Sequence, residues 1–236
     1  MKHLDDNYTF EEFLEIIARL RSENGCSWDR EQTHESLRPC IMEECAELTA
    51  AIRIYKETGD YANLQEELGD VLLQVVMQSQ IAREEGLFTI EDVIQGISSK
   101  MVRRHPHVFG EVQVENSQQV LKNWEEIKKK EKAEQSGAGA KMAELPPELP
   151  ALIKAQKIQK RVDRQNPDPA AYETYYQHLQ TLMARLEAGR ELPEDERERQ
   201  FGEAFYTLAG LARQAGVHAE QCLEDTIADK RMEYVE

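Results

Sequence analysis

The sequence predicts an all-α protein, and three observations support this. Strong helix formers such as Ala, Glu, Leu, Gln, Lys and Arg dominate its 236 residues, and aromatic residues make up only 7%. Apolar residues recur at helical spacing, and no segment alternates apolar and polar residues over enough length to predict a strand. An apolar content of 40% is enough for a core, in one large domain or in two small ones.

Start and stop signals divide the first half into helices. Thr9 with Glu12, and Thr89 with Asp92, have the spacing of a capping box, and Gly86 is a C-terminal stop signal. The predicted long helices begin near residues 9, 39, 60, 89 and 117, and the first three end near residues 24, 57 and 85. These helices predict a first domain over residues 1–132.

A linker separates the two halves of the chain. Small residues and then prolines fill residues 133–149, which is a composition typical of linkers. Beyond it, apolar spacing predicts further helices at about residues 150–164, 169–188, 194–215 and 218–234. We therefore expect a second domain over residues 150–236.

The acidic composition bounds the possible partners. A formal net charge of −16 does not suit nonspecific binding to nucleic acid or to an anionic membrane, although a basic pocket is compatible with it. The four cysteines lack Cys-x-x-Cys spacing, which favours a reduced, intracellular protein. No apolar run approaches the roughly 20 residues that span a bilayer, and the start has no apolar signal core. We expect a cytoplasmic protein with neither a nucleic-acid nor a membrane partner.

Two pairs of acidic residues lie on neighbouring helices. They are Glu44 with Glu47 and Glu67 with Asp70, and the turn at Gly59 lies close to midway between them. Residues three apart share a helix face, so folding the chain at this turn brings four carboxylates into one small volume. Crowded carboxylates resist ionising without a counter-charge, and all-oxygen ligation favours Mg²⁺, with Mn²⁺ as a substitute. A single such pair is usually solvated surface, but both pairs here flank apolar helix faces.

Two tryptophans and a basic cluster are further candidates for binding. Trp28 lies in a polar connector, where it could stack on a base or plug the core, and the plug is the commoner role. Lys100 and Arg104 share a helix face, which suits a phosphate clamp, although basic residues near a helix C-terminus also complement its macrodipole. Trp124 and Lys128 have the same spacing of four on the following helix.

The second half of the chain echoes the first without its acids. Residues 200–206 parallel residues 67–73, so that Gln200 stands at the position of Glu67. The helix before them carries no Glu-x-x-Glu pair. We interpret residues 150–236 as a duplicated helical unit whose ligands have been lost.

Several motifs, in the order found here, resemble the MazG family. The resemblance is carried by the two acidic pairs and by the runs from Asn24 to Leu37 (NGCSWDREQTHESL) and from Arg103 to Phe109 (RRHPHVF). MazG proteins are nucleoside triphosphate pyrophosphohydrolases of an all-α superfamily that also holds dimeric dUTPases and phosphoribosyl-ATP pyrophosphohydrolase. The resemblance is dense over residues 8–132, extends through residues 149–161 and then fades.

The resemblance implies two tandem MazG-like helical bundle repeats, the second degenerate and truncated. It implies Mg²⁺ ligation by Glu44, Glu47, Glu67 and Asp70. It also implies nucleotide contacts from Lys100, from Arg103 or Arg104, and from Trp124, with Lys128 as a further contact. Trp28 stays a candidate for the nucleotide from its place in the connector alone. Ser27 and Cys40 stand where the family commonly has a proline and an aromatic residue. These departures bear on the base pocket and leave the metal site unaffected.

The implied reaction converts a nucleoside triphosphate and water to the monophosphate and pyrophosphate. Mg²⁺ neutralises the triphosphate and lowers the pKa of a water that attacks the α-phosphorus in line, and Lys100 or Arg104 stabilises the leaving pyrophosphate. Glu43 or Glu66, each adjacent to a ligand, could take the proton of that water. The sequence does not choose between these two residues.

Three other functions use parts of the same pattern of residues. A di-iron bundle needs Glu-x-x-His pairs, and no histidine lies between His34 and His105. A narrower relative such as a dUTPase shares the metal chemistry and differs in the base pocket, while a non-catalytic interaction protein fits the degenerate second half. Because each half keeps apolar faces that it cannot bury alone, we expect a homodimer.

Overall fold

A computed structural model of the chain describes residues 7–135, 145–188 and 193–233. Within these ranges every regular element is a helix, which confirms the all-α prediction. The helices are α1 (Phe10–Leu20), α2 (Ser27–Glu31), α3 (Arg38–Thr58), α4 (Ala62–Glu84), α5 (Ile90–Arg104), α6 (Pro106–Phe109), α7 (Ser117–Gln135), α8 (Ala151–Gln165), α9 (Ala171–Ala188), α10 (Glu194–Gln214) and α11 (Ala219–Glu233). Across the described ranges, none of these helices combines the length and the apolar character that crossing a membrane requires.

The chain divides into two compact units, Met1–Gly137 and Ala138–Glu236. The division falls inside the segment that we predicted to be a linker, although α7 continues to Gln135, beyond the predicted end of the first domain. Residues 136–144 of that segment lie outside the described ranges. The roles that we assigned to the two units stay predictions.

The core of the first unit lies where α1, the start of α3 and α4 meet. Its buried residues are Ile17, Leu37, Val76, Met77 and Ile81. Ile17 is 2% exposed, and burying such a side chain contributes about 1.5–3 kcal/mol to folding. The predicted capping boxes are confirmed at the starts of α1 and α5. Helix α1 ends at Leu20, earlier than the predicted end near residue 24.

The turn between α3 and α4 is the feature that positions the acidic residues. Gly59 ends α3 in the left-handed conformation, with a φ of 75°, which glycine adopts without steric cost. The amide of Gly59 donates to the Tyr55 carbonyl at 2.8 Å, and Asp60 Oδ1 accepts from the Ala62 amide at 3.0 Å. The chain therefore reverses sharply at the predicted turn, and the two long helices pack side by side.

The connector after α1 contains a helix that the sequence analysis did not predict. Helix α2 has only five residues and buries none of them. The amide of the Gln32 side chain donates to the Trp28 carbonyl at 2.9 Å, which satisfies one carbonyl at the end of this helix. Hydrogen bonds, and not apolar packing, hold this segment.

The second unit consists of α8 to α11, and their bounds agree with the predicted ones within two residues over the described ranges. Leu182 and Ala209 are each 1% exposed in its core. Gly210 permits a close approach between α9 and α10, because a Cβ there would lie 2.4 Å from Cε1 of Tyr175. The buried Gln159 donates from Nε2 to the Tyr206 carbonyl at 2.7 Å and so joins α8 to α10.

Candidate active site

Three of the four predicted ligand carboxylates meet between α3 and α4. One carboxylate oxygen from each of Glu44, Glu67 and Asp70 lies within 4.8 Å of the other two. All three residues are half-buried. Because the chain reverses at Gly59, the face of α3 with Glu44 meets the face of α4 with the other two acids. Three converging carboxylates form an all-oxygen donor set, which suits a hard divalent cation.

Burial and like charge raise the pKa of two of these carboxyl groups. For Glu44, burial is the largest cause, followed by the charges of Asp70 and Glu47. For Glu67, burial again comes first, and the charges of Glu47 and Asp70 follow. Glu47 is itself exposed and lies outside the group of three oxygens, but its charge acts on the site. A cation among these groups would relieve both the desolvation and the repulsion.

One oxygen of Glu67 supports the same interpretation. Its Oε1 accepts from Asn63 Nδ2 at 3.3 Å, whereas its Oε2 is buried and has no hydrogen-bond partner among the described residues. Leaving a buried acceptor unsatisfied costs about 1–3 kcal/mol, and more for a charged group. This oxygen is therefore set up for a ligand that the protein itself does not supply.

Gln74 belongs to the site and was missed in the sequence. It follows Asp70 by one helical turn, and its side chain lowers the pKa of the Glu44 carboxyl, against the causes that raise it. Its Oε1 is buried without a partner in the described part of the chain. The spacing of four from Asp70 was a signal, but a glutamine in an apolar run has no chemistry that singles it out.

The two candidates for accepting a proton lie beside the group of three. Glu43 and Glu66 are exposed, and each is adjacent in sequence to a converging acid. The charge of Glu43 also raises the pKa of Glu44, by less than burial, Asp70 and Glu47 do. The charge of Glu66 also raises the pKa of Glu67, by less than burial, Glu47 and Asp70 do. The structure brings both close to the site and does not choose between them.

Two predicted phosphate-binding residues are paired with a carboxylate of α7. Arg103 Nε donates to Glu131 Oε1 at 2.6 Å, and Arg104 donates to Glu131 Oε2 from Nε at 3.0 Å and from Nη2 at 2.6 Å. The hydrogen bonds from Arg104 and then Arg103 lower the pKa of Glu131 to about 2. The side chain of Glu131 is only 12% exposed, although the lysine-rich run around it in the sequence is typical of a solvated helix end.

Trp124 packs against the same basic cluster. The Arg104 guanidinium lies 5.5 Å from the centre of its ring, and His105 meets it edge-on at a centroid distance of 4.8 Å. The structure thus brings Trp124 and Arg104 together. Lys100 is half-buried one turn before Arg104 on α5, and Lys128 is exposed one turn after Trp124 on α7.

Trp28 lies on α2 and is 59% exposed. It does not plug the core of its unit, which is the role that we favoured in the sequence. Of the two interpretations, stacking on a ligand or partner is the one that this exposure leaves open.

The ion pair between α5 and α7 predicts a pH effect on stability. Because the pKa of Glu131 in the folded protein, about 2, lies below its ordinary value of 4.5, the stabilisation is fully present above pH 4.5. It is lost as the pH falls through about 2. Thermal melts of wild type and Glu131→Gln between pH 7 and pH 2 should therefore converge as the solution becomes acidic.

Glu126→Gln is the matched control, because Glu126 is an exposed carboxyl on the same helix. Its melting temperatures should run parallel to those of wild type over the whole range. If Glu131→Gln also runs parallel to wild type, the ion pair does not stabilise the packing of α5 on α7.

Known proteins match this chain over the region that contains the acids. The family described as the MazG nucleotide pyrophosphohydrolase domain matches residues 32–109, a range that contains both acidic pairs and the arginines of α5. The protein named nucleoside triphosphate pyrophosphohydrolase/pyrophosphatase MazG of Thermotoga maritima is 42% identical over 214 residues, covering 91% of this chain and 79% of that protein.

Two further relatives extend this comparison. The nucleoside triphosphate pyrophosphohydrolase of Escherichia coli strain K12 is 39% identical over 217 residues, covering 89% of this chain and 80% of that protein. The uncharacterized protein YabN of Bacillus subtilis is 52% identical over 153 residues, which are 65% of this chain and 30% of that protein. The similarity to the Thermotoga maritima and Escherichia coli proteins therefore extends well beyond the acidic helices.

Proposed function

The chain belongs to the MazG family of nucleotide pyrophosphohydrolases, and from this we propose that it hydrolyses nucleoside triphosphates to monophosphate and pyrophosphate at the α3–α4 carboxylates. The observation that carries the proposal is the convergence of Glu44, Glu67 and Asp70 within 4.8 Å. Two relatives that carry the name nucleoside triphosphate pyrophosphohydrolase share 39–42% of the aligned residues. These relatives support a substrate class, and the carboxylates support a place for its chemistry.

The carboxylates are proposed to hold Mg²⁺, with Mn²⁺ as a substitute. Glu44, Glu67 and Asp70 would supply oxygens directly, and Glu47 adds negative charge beside them. When bound there, the ion supplies charge neutralisation for a triphosphate and makes a water more acidic. Gln74, whose side chain lowers the pKa of Glu44, favours the ionised carboxylate that such an ion needs.

A second group of residues takes the proton that hydrolysis releases. The attacking water must lose a proton as its oxygen bonds to the α-phosphorus. Glu43 and Glu66 lie outside the three converging oxygens and next to them, so their carboxylates are left for this role. The bond that breaks joins the α-phosphorus to the oxygen bridging to the β-phosphorus, and pyrophosphate leaves.

The basic cluster is proposed to bind the phosphates and the base. Arginine has five N–H donors, and the contacts with Glu131 take one donor of Arg103 and two of Arg104. The remaining donors suit phosphate oxygens, with Lys100 and Lys128 on the same two helices. Two aromatic residues, Trp124 and Trp28, are the proposed partners of the base.

We also propose that the protein is a cytoplasmic homodimer. Helix α5 buries none of its residues within its unit, and Ile94 and Ile97 are 45% and 47% exposed. Leu68 and Leu72 on α4 are 53% and 41% exposed. Helix faces with several exposed apolar residues are a feature of surfaces that pack against a second copy. All four cysteines are free, which fits a reducing compartment.

Product analysis in ¹⁸O-water tests the proposed reaction. The full chain is incubated with Mg²⁺ and, separately, with each ribo- and deoxyribonucleoside triphosphate, including dUTP. We expect pyrophosphate and the monophosphate, with the label in the monophosphate, because the water attacks the α-phosphorus. Orthophosphate and a nucleoside diphosphate would identify a different phosphohydrolase. Turnover of dUTP alone would identify a dUTPase-like enzyme.

A further inference from the structure

Glu131 ends an inward-facing stripe on α7. Trp124, Ile127 and Glu131 follow helical spacing, and all three are half-buried. The side chain of Glu131 is 12% exposed, whereas Lys128 and Lys130, close to it in the sequence, are exposed. Burying a carboxylate costs free energy unless it is paired with a positive group. The position of Glu131 therefore depends on what it meets on the neighbouring helix.

Glu131 meets two arginines that are adjacent in sequence on α5. Arg103 donates from Nε to Oε1 at 2.6 Å, and Arg104 donates from Nε and Nη2 to Oε2 at 3.0 Å and 2.6 Å. Each carboxylate oxygen thus serves one arginine, and two positive charges share one negative charge. An ion pair that only joined α5 to α7 would need one arginine. The surplus positive charge suits the binding of an anion.

The contacts leave one edge of each guanidinium for a ligand. A guanidinium is planar, and its five N–H groups have fixed directions. The carboxylate takes the Nε group of both arginines. The edge between Nη1 and Nη2 points in a different direction and keeps two N–H groups, which is what bidentate binding of a phosphate requires. The side chain of Arg103 is 56% exposed, so this edge is accessible there.

The same contact holds a proposed partner of the base. Glu131 and Trp124 lie on one face of α7, and the Arg104 guanidinium bonds to the first and lies 5.5 Å from the ring centre of the second. We propose that Glu131 is a positioning residue for nucleotide binding, which holds Arg103 and Arg104 so that their outer N–H groups face the phosphates of a nucleoside triphosphate. This inference rests on the proposed function of the basic cluster.

The sign of a change in KM separates this role from two simpler ones. Glu131→Gln removes one negative charge, and charge alone would favour a bound triphosphate and lower KM. A role in helix packing alone would reduce the amount of active enzyme, and so kcat, with KM unchanged. If Glu131 positions the arginines, KM should rise roughly fivefold or more, with a smaller change in kcat, because both lose the acceptor that holds them.

Steady-state rates are measured on full-length chains with the nucleoside triphosphate that wild type hydrolyses fastest. An unchanged or lower KM for Glu131→Gln overturns the inference. Glu131→Asp keeps the charge, but its carboxylate is one methylene shorter and does not reach both arginines. Its KM should also rise, though by less, and a wild-type KM would mean that charge alone suffices, which overturns the inference. This variant decides the question if circular dichroism shows that Glu131→Gln does not fold.

Glu126→Gln is the matched control, because it removes an exposed carboxyl from the same helix. It should keep the wild-type KM. A rise equal to that of Glu131→Gln would show a general effect of charge on α7 and overturn the inference.

A binding measurement separates this inference from the proposed function. The chain has two tryptophans, so a full-length Trp28→Phe variant reports on Trp124 alone. Inorganic tripolyphosphate with Mg²⁺ is titrated into this variant, with and without Glu131→Gln, and the fluorescence is followed. We expect a saturable change in emission, with Kd raised roughly fivefold or more by the loss of Glu131. An equal Kd, or no change in emission, overturns the inference. Absence of hydrolysis by wild type, together with the expected shift in Kd, contradicts the proposed function alone.

Discussion

Replacement of Asp70 by Asn, or of Glu44 by Gln, is expected to reduce Mg²⁺-dependent hydrolysis by at least roughly 10²-fold. Each change removes one of the three converging carboxylate charges and keeps the size of the side chain. The remaining carboxylates would hold the proposed ion less well, and a triphosphate would lose the charge neutralisation that this ion would supply. Steady-state rates at saturating Mg²⁺ and nucleotide measure the effect.

Folding of these variants should be preserved. Burial and then the charge of Asp70 raise the pKa of Glu44, so this charge opposes folding when no cation is bound. Asp70→Asn removes that repulsion, and its melting temperature in a chelator at neutral pH should equal or exceed that of wild type. A lower melting temperature would mean that Asp70 has a structural role.

Glu203→Gln is the matched control for the loss of activity. Glu203 lies in the second unit at the position that parallels Asp70, and its carboxylate contacts His178 Nε2 at 3.2 Å. Its removal should leave the rate of hydrolysis unchanged. Near wild-type turnover by Asp70→Asn and Glu44→Gln, or a matching loss with Glu203→Gln, would contradict the assignment of the site.

The acidic site could be predicted from sequence because it depends on local rules. Spacing of three places Glu67 and Asp70 on one face of a helix, and Gly59 fixes where the chain reverses. Neither feature depends on how the rest of the chain packs. The same is true of the capping boxes at Thr9 and Thr89, which depend on contacts only three residues apart.

The contacts that could not be predicted join residues distant in sequence. Arg21 bonds Glu84 across 63 residues, and Arg104 bonds Glu131 across 27 residues. Many acids and bases in this chain could have paired, and only the packing of the helices selects these pairs. Helix α2 was missed for the same reason, because the side chain of Arg21 from α1 satisfies its final carbonyls. Propensity within its five residues carries no such information.

We expect the first unit alone to catalyse hydrolysis. Cut at the boundary between the units, residues 1–137 are expected to retain hydrolysis, and residues 138–236 are expected to show none. In the second unit Gln200 stands at the position of Glu67 and donates from Nε2 to Glu196 at 3.1 Å. Glu203, at the position of Asp70, is paired with His178 and lies 3.8 Å from Arg199. This carboxylate already has two partners within the unit, one of them the cationic Arg199, and does not call for a metal ion.

We expect the second unit to serve assembly, because it has exposed apolar residues at the positions that parallel those exposed on α4. Phe201, Phe205 and Leu208 on α10 are 50%, 60% and 50% exposed, and they stand at the positions of Leu68, Leu72 and Val75. Selection for assembly alone would retain such a stripe and release the acids. Full-length protein should therefore sediment as a dimer of the 27.2 kDa chain, with residues 1–137 associating more weakly. Circular dichroism would verify that both fragments are helical before rates are compared. This division of roles would be contradicted by turnover with residues 138–236 or by a folded but inactive 1–137 fragment. A monomeric full-length chain would contradict the assembly role.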